Sequence, residues 1–317
     1  MNKLTEEKII KLFTHNNPTG NSFLLDDVSL VKSPKTNLIT SSDMLVESTD
    51  IPPTMTLIQA SRKAIIMNVS DFASKGVAPK HGLISLGIPK NYSENQIKQI
   101  ARGIKKGLKE FNILLIGGDT NSSKELIINC TLIGFSNYNI PRRQTAQNND
   151  IIYAIGEFGL TGTGLFLLKK KRKPTNQFER NAIKSVLHPT VNLDIFIKLA
   201  RQNLINSSID SSDGLCLSLY QLAEQSKKTF QVDHLPIAKG LAEFAARHDR
   251  CINDLILYSG EEYQQVFTVK PSNTKKTENT LKRHKILFTK LGTVKSGKPK
   301  VYYKNKLLKR KGWDSFK

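Results

Sequence analysis

This chain has little cysteine, little tryptophan and few acids. Its 317 residues include three cysteines and one tryptophan. Cys130, Cys216 and Cys251 lie far apart and form no C-x-x-C pair, so no disulfide framework is expected and a reducing cytoplasm suits the chain. No apolar run approaches the ~18 residues of a membrane span. The N-terminus reads as an amphipathic helix, Leu4 to Phe13, without the apolar core of a signal peptide. A soluble, cytoplasmic protein is expected. The six histidines are scattered and no Ser/His/Asp triad stands out. The Gly-rich turn Gly159–Gly164 lacks the lysine of a Walker A loop, and is expected to be a loop entering a helix over Leu165–Lys169. What is present is ample: a 38% hydrophobic content can build real cores and argues against wholesale disorder.

The shortage of acid gives a net charge of +21, unevenly spread. From Lys270 to Lys317, 16 Lys/Arg stand against two acids, and a second run covers Lys169–Lys173. Such segments can bind nucleic acid, funnel anions or coat a solvated face. There is no RNA- or DNA-binding motif, and aromatics do not interleave the lysines, which favours the solvated face over a nucleic-acid partner.

Strand-like and helix-like patterns alternate. Strands are expected at Phe23–Val31, Leu38–Ser42, Gly82–Ile88, Ile113–Ile116 and Leu126–Phe135, and helices at Thr56–Lys75 and Glu94–Phe111. The polar stretch Asn137–Asn149, with Pro141, reads as a junction between domains 1–140 and 141–317. Beyond it come strands Ile151–Ile155, Ile205–Ile209 and Gln264–Val269, with helices at Gly214–Gln225 and Leu241–Arg247. The fold class is α/β or α+β.

The scarce acids are placed in a pattern. Aspartates follow apolar runs in Asp26-Asp27, Ser41-Ser42-Asp43, Asn68-Val69-Ser70-Asp71, Gly117-Gly118-Asp119 and Asp210-Ser211-Ser212-Asp213. Carboxylates set this way lose solvation unless a cation offsets them. With oxygen ligands only, that cation is expected to be Mg²⁺, and a many-carboxylate Mg²⁺ site suggests chemistry on polyphosphate. Each segment alone also fits a turn, a helix cap or a solvated face.

Taken in order, these segments resemble the thiamine-monophosphate kinases of the aminoimidazole-ribotide-synthetase-like superfamily. The resemblance includes Leu25-Asp26-Asp27, Ser42-Asp43 through Glu47, Asn68–Asp71 with Gly76 and Pro79, and Ile116–Thr120. It continues through Ile209–Leu215, Ser259–Tyr263 and Lys311–Phe316. It implies a two-domain fold, with an N-terminal sheet domain forming a homodimer and a C-terminal α/β domain. It also implies transfer of the ATP γ-phosphoryl group to thiamine monophosphate. Asp27, Ser41, Ser42, Asp43, Asp71, Asp119, Asp210 and Asp213 fall at its Mg²⁺ positions. Gly118, Asp119, Arg143 and Ser212 fall at nucleotide positions, with Arg143 as charge stabiliser and no catalytic base. Asp50, Glu261 and Trp313 fall at or near substrate positions. Three residues depart from the pattern: Leu25 replaces a glycine, Asp50 a histidine, and Glu262 an aspartate.

Overall fold

The computed structural model describes residues 5, 8–10 and 26–314. Leu25, the start of the expected first strand, most of the expected N-terminal helix, and Ser315-Phe316 lie outside them.

Two sheets organise the chain. The first joins β1 (Ser29–Val31), β2 (Asn37–Val46), β3 (Pro79–Pro89), β4 (Leu114–Ser123) and β5 (Ile127–Ser136) in the order β1-β2-β5-β3-β4. All its pairings are antiparallel except β3–β4, whose parallel register needs a crossover helix. The second joins β6 (Ile151–Ile155), β7 (Ser207–Asp210), β8 (Thr229–Val232), β9 (Gln265–Val269), β10 (Phe288–Lys295), β11 (Val301–Tyr303) and β12 (Lys306–Leu307) in the order β12-β11-β8-β10-β6-β9-β7. Apolar clusters cover both its faces, and β9 is buried along its whole length.

The short helix α1 (Glu47–Asp50) follows β2, and the long helix α2 (Leu57–Ser74) follows it. Thr56 and Gln59 form a capping box at the start of α2, each side chain accepting from the other's backbone N–H. Gly76 ends this segment at φ +63°, where a Cβ would come within 2.4 Å of Ala200. α2 is buried nearly all round, because it runs between β2 and β5 on one side and β7 and β9 on the other. The crossover helix α3 (Glu94–Glu110), capped by Ser93 and Gln96, packs on α2 through a strongly amphipathic face. Full burial of a side chain such as Phe72 on α2 contributes about 1.5–3 kcal/mol.

In the second half, α4 (Leu160–Lys169) and α5 (Gln177–Leu187) pair, and α6 (Leu193–Arg201) packs on α2. α7 (Leu215–Ser226) follows β7, then come α8 (Leu241–Arg247), α9 (Ile252–Leu257) and α10 (Thr274–Arg283). Two local expectations are corrected. The strand expected at Ile113–Ile116 does not end before Gly-Gly-Asp: β4 continues through that segment to Ser123, carried by its pairing with β3. Gly159–Gly164 is not a loop: Gly159 at φ +96° starts α4, and Thr161–Gly164 already lie in the helix. Gly164 allows this by packing without a side chain against the Ala182 backbone of α5.

Candidate active site

The site forms where α2 passes between the sheets. Ser41 and Asp43 alternate with Ser42 along β2, so they point to the opposite face from Ser42, toward α2. Carboxylate oxygens of Asp27, Asp71 and Asp210 lie within 4.8 Å of one another. Ser41 donates to Asp71, Ser74 to Asp27, and Ser70 to Asp210 at 2.7 Å.

Three cations sit behind these acids. The fully buried Lys75 ammonium lies 2.7 Å from both Asp26 and Asp27 and also donates to the Ser208 carbonyl. Arg143 donates to Asp27, and Arg142 to Asp26 at 2.8 Å. Burial alone would raise the Asp26 pKa, but Lys75, Arg143 and Arg142 outweigh it and hold that carboxyl at about 2. The opposite holds closer to α2. Burial, then the charges of Asp43, Asp210 and Asp27, push Asp71 well above the usual carboxylate range. Burial and then Asp27 push Asp210 up to about 7, against Ser70 and Arg143. Carboxylates that repel each other this strongly, with only oxygen donors around them, fit a hard divalent cation.

The loop Ser211–Gly214 leads from β7 into α7, whose N-terminus favours anions. Among the described residues, the buried Ser211 hydroxyl has no hydrogen-bond partner. The loop is bound edge to edge to its neighbours. Glu261 N–H donates to Ser212 O at 2.6 Å, Tyr263 N–H to Ser211 O at 3.0 Å, and Trp313 N–H to Asp213 O at 2.9 Å. Trp313 is half-exposed, and the Lys169 ammonium lies 5.9 Å from its ring centroid.

Not all expected site residues converge. Asp27, Asp71 and Asp210 form the cluster, Ser41 bonds to it, and Asp43 shares its strand face. Asp213 stands three residues beyond Asp210 and carries the tail. Ser42 faces the other side of β2, where its hydroxyl pairs with that of Thr131 at 2.7 Å. Gly118 and Asp119 lie exposed on the edge strand β4, three strand spacings, about 14 Å, from β2. Asp50 is not one of the clustered acids: its carboxylate accepts from Val46 N–H at 2.7 Å and Thr49 Oγ1 at 3.0 Å. Sequence reasoning missed Lys63 and Lys75. The signal was there, since both are lysines on an otherwise apolar, buried helical segment.

Glu262 is buried behind the same loop, where it accepts from Gly159 N–H at 2.7 Å. Burial, only partly opposed by bonds from Gly159 and Thr161, raises its pKa from an ordinary 4.5 to about 7. The folded state therefore binds this proton more tightly than the unfolded state does. The resulting stability is complete below about pH 4.5 and is lost as pH rises through about 7. Glu262→Gln is expected to remove that decline, worth up to about 3 kcal/mol. Thermal melts of both proteins at about pH 5 and pH 8 check it; parallel shifts would refute it.

The layout is an acidic cluster that could hold a metal ion, beside a helix N-terminus, in a two-sheet α/β fold. Residues 25–136 match the family described as AIR synthase related protein, N-terminal domain. Over its whole length the chain is 40% identical to the thiamine-monophosphate kinase of Nitrosopumilus maritimus, covering 100% of that protein. It is 33% identical to that of Pyrococcus horikoshii, covering 98%. A solved structure of AaThiL complexed with AMPPCP and TMP superposes with a TM-score of 0.87 at 25% identity, covering 98% of this chain and 97% of that one. The chain belongs to the thiamine-monophosphate kinase family.

Proposed function

We propose that the protein transfers the γ-phosphoryl group of ATP to thiamine monophosphate, releasing thiamine diphosphate and ADP. The carrying observation is the Asp27–Asp71–Asp210 cluster, set in a chain that matches thiamine-monophosphate kinases end to end. Mg²⁺, held by Asp27, Asp71 and Asp210 with Ser41 and Asp43 beside them, would supply charge neutralisation between two polyanions. The chain's own groups do the rest. A phosphate oxygen of the acceptor attacks the γ-phosphorus as the bond to the β–γ bridging oxygen breaks. A phosphate monoester is largely dianionic near neutral pH, so no general base is needed. Arg143 holds Asp27 in place and adds positive charge, the α7 N-terminus attracts phosphate, and Ser211 offers an unpaired hydroxyl.

The substrate wall is assigned to Glu261 and Trp313, with Asp50 turned into its own helical turn and so kept from repelling the acceptor phosphate. The division of labour only partly follows the two sheets: Asp27 and Asp71 come from 1–140, while 141–317 adds Asp210, Arg143 and the α7 N-terminus and closes over the acceptor. A cytoplasmic homodimer is part of this reading. It would cover the bare β4 strand, where Leu114, Leu115 and Ile116 are each more than half exposed, and place Gly118 and Asp119 at the interface. The described residues contain no helix long and apolar enough to cross a membrane.

The test is ADP release from Mg²⁺-ATP with and without thiamine monophosphate, with the organic product separated by chromatography. Thiamine diphosphate forming only when both are present is expected. ATP turnover without thiamine diphosphate would remove the acceptor assignment.

A further inference from the structure

Lys63 is an anomaly on α2: a lysine with no exposed surface, eight residues before Asp71. Its ammonium has two partners, the Asp50 carbonyl at 2.8 Å and the Glu261 carboxylate. Burying that cation is costly unless both partners are held in place, and the protein holds them. The Asp50 turn is fixed by its own side chain on Val46 N–H. Glu261 and Tyr263 adopt left-handed backbone, φ +65° and +51°, a conformation non-glycine residues rarely adopt. Their N–H groups are tied to Ser212 and Ser211. A Cβ on Gly260 would lie 3.5 Å from Trp313 Cβ, so the Glu261 loop and the tail carrying Trp313 are in contact.

We infer that Lys63 is a positioning residue that fixes the Glu261 carboxylate as the far wall of the acceptor site, and so sets which organic phosphates fit. This rests on the function proposed above. One rigid helix carries both ends of the site. Asp71 marks the metal end, and Lys63 anchors the wall about 12 Å away along the helix axis, at ~1.5 Å per residue. The acceptor class is a phosphate monoester whose hydrogen-bonding ring system lies roughly that far from phosphorus. Lys63 also pairs with Glu261, so the wall presents an oriented acceptor for an exocyclic amino group on the ring system rather than a bare charge. Without Lys63, Glu261 would be free to follow the solvent, and the wall would no longer select for length.

The experiment uses the single tryptophan, Trp313, as a binding probe independent of turnover. Thiamine monophosphate is titrated against the full chain by fluorescence, and Mg²⁺-ATP by calorimetry. Lys63→Met is expected to weaken thiamine monophosphate binding about tenfold or more while leaving ATP affinity within about twofold. Steady-state kinetics should show the loss in KM for the acceptor, with kcat changed far less, and Lys63→Arg should recover most of it. In a double-mutant cycle, adding Glu261→Gln to Lys63→Met should cost little more. Should Lys63→Met fail to fold, Lys63→Gln, which can still donate to the Asp50 carbonyl, takes its place in the same comparison. Unchanged acceptor affinity, equal losses for ATP and acceptor, or additive effects of the two substitutions would overturn the inference. If the unaltered protein binds no thiamine monophosphate, the acceptor assignment itself falls, which is a separate result.

Discussion

Asp71→Asn is expected to abolish phosphoryl transfer and leave the fold intact. Asp71 shares the cluster with Asp27 and Asp210, and burial, followed by the charges of Asp43, Asp210 and Asp27, pushes its carboxyl toward the neutral form. An amide keeps the shape and can still bond to Ser41, but it cannot offer an anionic oxygen to a metal. A loss of about a thousandfold in kcat, or ~4 kcal/mol of barrier, is expected. Removing one of several repelling carboxylates should leave the metal-free melting temperature at pH 7.5 unchanged or higher. Single-turnover transfer and thermal melts on the same preparation measure both. Activity within tenfold of the unaltered protein would remove Asp71 from the metal site.

Lys75→Met should have the opposite signature, a large loss of stability. The Lys75 ammonium is the shared partner of Asp26 and Asp27, and all three side chains are buried. Methionine fills the space but leaves two carboxylates with less compensation. Breaking a buried pair of this kind costs about 3–5 kcal/mol, whereas an exposed pair such as Glu94–Lys98 is worth less than ~1 kcal/mol. Millimolar Mg²⁺ should return part of the loss by taking over some of that charge, because it binds only the folded cluster. Urea unfolding with and without Mg²⁺ measures the difference. A loss below ~1 kcal/mol would mean that Arg142 and Arg143 alone hold the acids.

Much of this was legible in the sequence because the strongest signals are local. The α2 pattern, the strands Ile151–Ile155 and Leu126–Phe135, and helix Leu241–Arg247 all stand within a residue or two of the expected bounds. Asp27, Asp71 and Asp210 were legible as acids that an apolar neighbourhood could not otherwise keep. What was not legible depends on pairing over long distances. The glycines of β4 look like a turn until β3 supplies a partner strand. The side of β2 on which Ser42 falls is set by register, and a shift of one residue would exchange it with Ser41. Lys63 and Lys75 look like interruptions of an apolar helix, because their partners lie 198 and 49 or 48 positions away, at Glu261, Asp26 and Asp27.

The passage of α2 between the two sheets also bears on how the molecule could open. Arg62 donates to Pro189 O, Ser70 to Asp210, Lys75 to Ser208 O, and Ser208 to Ser74 O, while Gly76 presses against Phe196 and Ala200. A hinge between the halves would have to strip all of these at once. The Ser259–Tyr263 loop is tied to the same helix through the Lys63–Glu261 pair, so it belongs to that body as well. The two sheets are joined through α2 as halves of one body, not as a pair of jaws, and a half expressed alone would expose the surface that helix now fills.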